Sequence, residues 1–338
     1  MSRLFVPVVS GLLVLVLVLA SSITWGLRQL NAPLEIPADG IFYEVSRGAA
    51  LSSVTAELQQ AGVIRSALVL NWYARLSGAE TGIQAGEYRL MPGLTSLSLL
   101  EQFAAGDVYL HQFTIIEGWR FDEMLERLRA NPAIVATDGD SADLMQALGA
   151  GDAHPEGQFL PDTYSFPRGT RDQDLLAWAH AAMQEVVEEA WRSRPEDSVL
   201  SSPYDGLILA SIIEKETALD TERGIVSGVF HTRLRRGMRL QTDPTVIYGL
   251  GDAFDGDITR ADLNRDTPYN TYTRGGLPPT PIALPGRASV LAAFAPVESG
   301  AVYFVATGDP DGSHYFSTTL EEHNAAVARY LARQSAGD

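Results

Sequence analysis

The hydrophobic pattern divides the chain into three regimes. Leu4 to Gly26 has no ionisable side chain and is dominated by Leu and Val. At 1.5 Å per residue such a helix covers about 34 Å, enough to cross a bilayer core of about 30 Å. Its length exceeds that of a secretory h-region, and Ala20-Ser21-Ser22 makes a poor cleavage site, so an uncleaved anchor is expected. Arg3 before the span, against Glu35 and Asp39 beyond it, biases the N-terminus inward and residues 32–338 outward. Residues 31–40, with Pro33, Pro37 and Gly40, read as a linker.

From Ile41 short periodic elements begin. Ile41 to Val45 reads as a strand, and Leu51, Val54 and Leu58 give a helical spacing closed by Gly62. Ser66 caps a second helix through Leu76, and Gly86 to Leu90 supplies a return strand. This strand-helix-helix-strand order, opening with SRGAALSSVTAELQQAGV, resembles a LysM module, a small glycan-binding fold. Further on, helices are expected over 94–105, 121–128 and 172–194, the last with Leu176, Trp178, Ala179, Ala182, Met183, Val186 and Val187 toward the core, and a strand over 108–116. Residues 131–152 read as peripheral. Residues 156–168, EGQFLPDTYSFPR, read as a rigid loop lining a groove.

The third regime is the run GLILASIIEKET at 206–217. Apolar residues cover every side of this helix, which makes it buried rather than amphipathic, and it ends in Glu214, Lys215 and Glu216. In the last turn of a buried helix, dipole and desolvation both oppose ionisation of a carboxyl, the condition for a general acid near neutral pH. Glu216 lies about 200° around the helix from Glu214, so the two cannot serve one site. Glu214 is the expected acid. An ion-paired helix end, with Arg223 or Arg239, is the competing reading.

The next helix starts at Asp220 or Thr221 and is closed by Gly237; Asp243 before Pro244 reads as a helix N-cap. PYNTYTRGGLPPTPIALPG at 268–286 is dense in Tyr, Asn, Thr, Gly and Pro. That suits a fixed loop presenting stacking faces and neutral hydrogen-bonding groups to a polysaccharide. A hairpin over 302–317 and a terminal helix complete the pattern. The whole is expected to be an α+β protein: anchor 1–30, linker 31–40, LysM-like unit 41–92 and a larger mixed catalytic domain 93–338.

Composition narrows the chemistry. A net charge of −17 argues against nucleic-acid binding, which calls for a basic patch. There is no cysteine, so thiolate metal sites and cysteine nucleophiles are excluded. His231, His314 and His323 lack metal-ligand spacing and no HExxH occurs, so neither metal nor cofactor is expected. His314 and His323 read as hydrogen-bonding residues beside a site. Ser211 lacks the G-x-S-x-G context of a serine hydrolase. Glu117, before Gly118, reads as a turn residue, while Glu156 and Asp162 are candidate second carboxylates. Lys215 is the only lysine in the chain.

Three long segments in order carry a specific resemblance: LASIIEKETALDTERGIVSGVFHTRLRRGMRLQTDPTVIYGLG, TPYNTYTRGGLPPTPIALPG and YFVATGDPDGSHYFSTTLEEHN. They are similar to those of the endolytic murein transglycosylase family, also called YceG-like, and the likeness extends over nearly the whole chain. The resemblance implies an inner-membrane enzyme whose periplasmic domain cuts nascent peptidoglycan inside the strand, leaving 1,6-anhydro-muramyl ends. It assigns the acid to Glu214; Gln241, Thr242, Asp243, Tyr269, Asn270 and Tyr272, in the two polar segments that follow, are the expected glycan contacts. Glycan strands, the membrane and peptidoglycan synthases are the expected partners. A hydrolytic muramidase and a non-catalytic wall-binding scaffold are the rival functions.

Overall fold

A computed structural model describes residues 5–337 as a mixed α/β protein. Arg3 and Leu4, on which the orientation reading and the start of the span rest, lie outside the described residues. The chain divides into two compact units. Unit 1 comprises residues 1–111 with 166–168, and unit 2 comprises 112–165 with 169–338.

Unit 1 begins with α1 (Phe5–Asn31), whose segment Ser10–Asn31 is long and apolar enough to span a membrane; its most apolar stretch is unburied, while Leu30 at its end is buried. Then come β1 (Ile41–Val45), α2 (Leu51–Gln60), α3 (Ala67–Ser77), β2 (Gly86–Leu90) and α4 (Ser96–Ala105). β1 and β2 pair antiparallel with Tyr43 opposite Tyr88. Ser66 caps α3 as its sequence predicts, accepting from the Val69 N–H, and Thr95 forms a capping box at α4. Val54, Leu58, Leu70, Tyr88, Leu99 and Phe103 form the core. The expected linker is not loose: the Leu34 N–H donates to Leu94 O at 2.7 Å, Pro33 bridges Thr95, and Leu34 is buried.

The chain continues through β3 (Leu110–Thr114), α5 (Phe121–Arg129), β4 (Ile134–Val135), α6 (Ser141–Ala147), β5 (Thr163–Pro167), β6 (Thr170–Arg171), α7 (Asp172–Ser193), α8 (Pro203–Glu216), α9 (Asp220–Arg235), α10 (Asp243–Leu250), α11 (Arg260–Asn264), α12 (Arg287–Phe294), β7 (Tyr303–Ala306), β8 (His314–Ser317) and α13 (Leu320–Gly337). β3 pairs with β5, β4 with β6 in parallel, and β7 with β8 as an antiparallel hairpin.

The core of unit 2 is built around α8, where every residue from Gly206 to Ile213 is buried. α12 lies against α8 so closely that a Cβ on Gly206 would stand 1.9 Å from the Phe294 ring. Only a glycine permits that approach. Ser202 caps α8, with Pro203 in its first turn.

Several local expectations change. Trp178 is 45% exposed, while Leu175 and Ala190 join the buried face of α7. Residues 131–152 carry β4 and α6, with Leu144 and Met145 buried. In the 156–168 segment Phe159 and Phe166 are fully buried, because aromatic side chains flanked by prolines here fill a core rather than wall a groove. The N-cap of α9 is Leu219, and that of α10 is Thr242 rather than Asp243.

Candidate active site

The last turn of α8 sends its two carboxylates to opposite sides, as helical geometry requires. Glu214 Oε2 accepts the Gly286 N–H at 3.0 Å, at the N-terminus of α12. Glu117 approaches the same glycine: a Cβ on Gly286 would lie 1.8 Å from Glu117 Oε1. Burial, then the charge of Glu214, push the Glu117 carboxyl above its usual range, with Arg223 opposing. Lys215 Nζ donates to Gly118 O at 3.3 Å, so the lone lysine tethers the 117–119 turn. Gly118 N–H donates to Leu284 O and Leu284 N–H to Trp119 O, closing this side with backbone bonds.

The other side is a cavity of about 210 Å³. α8 contributes Glu216; α9 and the following turn contribute Arg233, Leu240, Gln241 and Thr242; α10 contributes Asp243. Tyr272 comes from the 268–286 loop, and β7 and β8 contribute Phe304 and His314. The volume is below that of pockets for drug-sized ligands. A polymer needs only its reacting linkage seated at depth.

In this cavity the carboxyl with a raised pKa is that of Glu216. The Thr242 hydroxyl donates a short hydrogen bond to Glu216 Oε1. Burial pushes the carboxyl up to about 7; the Thr242 bond lowers it, Asp243 raises it, and His314 and Arg233 lower it. Arg233 is buried and donates to Val302 O at 2.7 Å and Leu240 O at 2.6 Å. Tyr272 OH donates to Asp243 Oδ1 at 2.6 Å. Gln241 has φ 51°, the only non-glycine in the left-handed region among the described residues. Such strain is characteristic of functional loops; here it aims Thr242 at Glu216 while the Thr242 N–H donates to Thr271 Oγ1 at 3.1 Å.

The sequence-expected residues therefore separate. Gln241, Thr242, Asp243 and Tyr272 do come together, but around Glu216, and Glu214 faces away from them. Asn270 is buried; its Nδ2 donates to the carbonyls of Asp262, Leu263 and Arg265, and its Oδ1 accepts from the Tyr272 N–H. Its polarity is consumed in locking the loop that carries Tyr272. Tyr269 shares a hydrogen bond with Thr280 and packs edge-on against Tyr248, outside the cavity.

Neither candidate second carboxylate reaches Glu216. Glu156 is 2% exposed, accepting from the Phe121 N–H at 3.0 Å and Tyr248 OH at 3.2 Å, and burial pushes it up to about 7. Asp162 accepts its neighbour's N–H. Among the described residues there is no cluster of three His, Cys, Asp or Glu able to hold a metal. Sequence reasoning passed over Glu216 and Glu222. The signal for Glu216 was its place in the same motif; nothing local marked Glu222.

Residues 43–329 match the YceG-like family profile. An endolytic murein transglycosylase of Bacillus subtilis (strain 168) is 29% identical over 310 residues, covering 86% of this chain and 85% of the relative. One from Streptococcus pneumoniae serotype 2 (strain D39) is 25% identical over 321 residues, covering 85% of this chain but 58% of the relative. The 2.6 Å crystal structure of a yceG-like protein of Listeria monocytogenes is similar in fold, with a TM-score of 0.53 and 29% identity over 86% of this chain and 99% of that one.

Proposed function

The chain belongs to the YceG-like family, and on that premise we propose that it is a membrane-anchored endolytic murein transglycosylase whose general acid is Glu216. The observation that carries this reading is the carboxyl held near pKa 7 by burial, inside a cavity formed by Gln241, Thr242, Asp243 and Tyr272. At neutral pH a substantial fraction of Glu216 is protonated. That proton goes to the glycosidic oxygen between N-acetylmuramic acid and N-acetylglucosamine, and the muramyl C6 hydroxyl attacks its own anomeric carbon. An internal nucleophile makes the water-activating carboxylate of an inverting glycosidase unnecessary.

α1 anchors the protein in the inner membrane, with the catalytic domain in the periplasm and coupling to peptidoglycan synthases. The βααβ arrangement of unit 1 is LysM-like. Its cavity of about 500 Å³, between the β1–α2 turn and residues 81–85, is suited to a glycan. The LysM-like module is proposed at 41–92, and residues 93–111 belong with it in unit 1, so the catalytic domain proposed over 93–338 begins at 112.

The test is digestion of purified glycan strands by the full-length protein in detergent, with products weighed. Anhydro-muramyl ends, lighter than reducing ends by one water, are expected. Reducing ends would overturn the transglycosylase reading and mean that Asp243, the other carboxylate in the cavity, activates water. No cleavage would leave a wall-binding scaffold.

A further inference from the structure

The proposed reaction moves two protons, one onto the glycosidic oxygen and one off the attacking hydroxyl, and Glu216 accounts for the first. Three other cavity groups bear on the second. Burial, followed by the hydrogen bond to Asp243, holds the Tyr272 phenol far above its usual range, so it remains a donor. Asp243 has one oxygen committed to that phenol. His314 is held differently.

Its backbone N–H donates to Glu222 Oε1 at 2.8 Å, and its Nδ1 stands 2.7 Å from Glu222 Oε2. Glu222 is 8% exposed, and the Thr217 hydroxyl donates to the same Oε2 at 3.3 Å. An ionised carboxylate only accepts, so Nδ1 carries the hydrogen and Nε2 presents its lone pair. Phe304 packs edge-on against the ring at 5.6 Å and fixes its plane. The ring borders the cavity, and Nε2 has no protein partner among the described residues.

We propose that His314 is the base of this reaction, with Glu222 as the positioning residue that fixes its tautomer; the proposal rests on the assignment of Glu216 as acid. As the muramyl O6 bonds to C1, its hydroxyl proton passes to His314 Nε2. The C1–O4 bond breaks and its electron pair takes the proton of Glu216. The imidazolium then returns a proton to the Glu216 carboxylate across the shared cavity. Both groups are reset, and no water is consumed.

The experiment uses full-length protein and purified strands, with His314→Ala and His314→Gln compared by rate, product mass and thermal midpoint. The glutamine variant keeps an N–H for Glu222 but supplies no comparable base. Both should lose about 10²–10⁴-fold in rate, and added imidazole should restore part of the alanine variant's rate. Glu222→Gln, which can donate to Nδ1 and so reverse the tautomer, should also lose rate while retaining strand binding. The charged or titratable groups around the ring are Glu222, Glu216, Asp243, Tyr272 and Arg233.

Wild-type rates in both His314 variants, or losses that imidazole does not restore, would overturn the proposal. The wild-type control separates the two readings. Anhydro ends with an inactive Glu216→Gln and a fully active His314→Gln sink only the base. Absence of anhydro ends from wild type sinks the transglycosylase, and the base with it.

Discussion

The two sides of one helical turn show how differently neighbouring carboxylates can be employed. Glu214 meets a backbone N–H at the start of α12 and forms part of a join between two helices. Glu216, two residues on, meets a hydroxyl, a second carboxylate and a histidine around a cavity. Propensity and charge are the same on both sides. What differs is the chain that arrives from elsewhere: the 284–286 turn on one side, the 240–243 turn and the β7–β8 hairpin on the other. A residue's chemistry here is set by its neighbours in space.

The sharpest way to break this contrast is to neutralise each carboxyl in turn. Glu216→Gln should cut the release of anhydro ends by about 10²–10⁴-fold, the usual range for a general acid. Glu214→Gln keeps a carbonyl acceptor for Gly286 and should cost no more than a few-fold. The reverse ranking would return the acid to Glu214.

A pH profile is the next test. The acid must carry its proton, so the rate should fall about tenfold per unit once pH exceeds about 7. Thr242→Val removes a hydrogen bond that favours the ionised form. The falling limb should then move to higher pH; a limb that stays put would mean that Glu216 is not the titrating acid.

Glu156 sharpens the comparison from a third position, as a buried carboxyl also pushed up to about 7 but outside the cavity. Its folded pKa is raised, so its contribution to stability is full below its unfolded value near 4.5 and is lost as pH rises through about 7. Denaturant unfolding at pH 5 and pH 8 should therefore show a smaller decline for Glu156→Gln than for wild type. An equal decline would remove Glu156 from the pH-stability account. The smallest effect is expected for Glu214→Ala, a loss of about 1 kcal/mol in denaturant unfolding from the broken hydrogen bond to Gly286, with strand cleavage retained.

Much of the fold was readable because it is local. The apolar run of α8, the Ser66 cap, the β1 and β2 segments and the glycine closing α9 are encoded within a few residues of where they act. The residues expected at 241–243 and Tyr272 line one cavity, with Glu216 rather than Glu214 among them. Choosing between Glu214 and Glu216 needs to know where residues 240–243 and 304–314 fall. Similarly, the Glu222–His314 pair joins residues 92 apart in sequence, and neither side chain signals the other. Composition misled at Asn270, because amides suited to sugar hydroxyls serve equally well to satisfy a loop's own carbonyls.

One consequence reaches beyond the cavity. α1 runs without a break to Asn31, Leu30 is 4% exposed within the unit 1 core, and the next residues are pinned through Pro33 and Leu34. A tether of loose chain would let unit 1 swivel about its attachment point. A helix whose end is set into the unit behaves as a mast. Any tilt of the proposed transmembrane helix would be passed to unit 1, because the end of that helix is part of the unit's core.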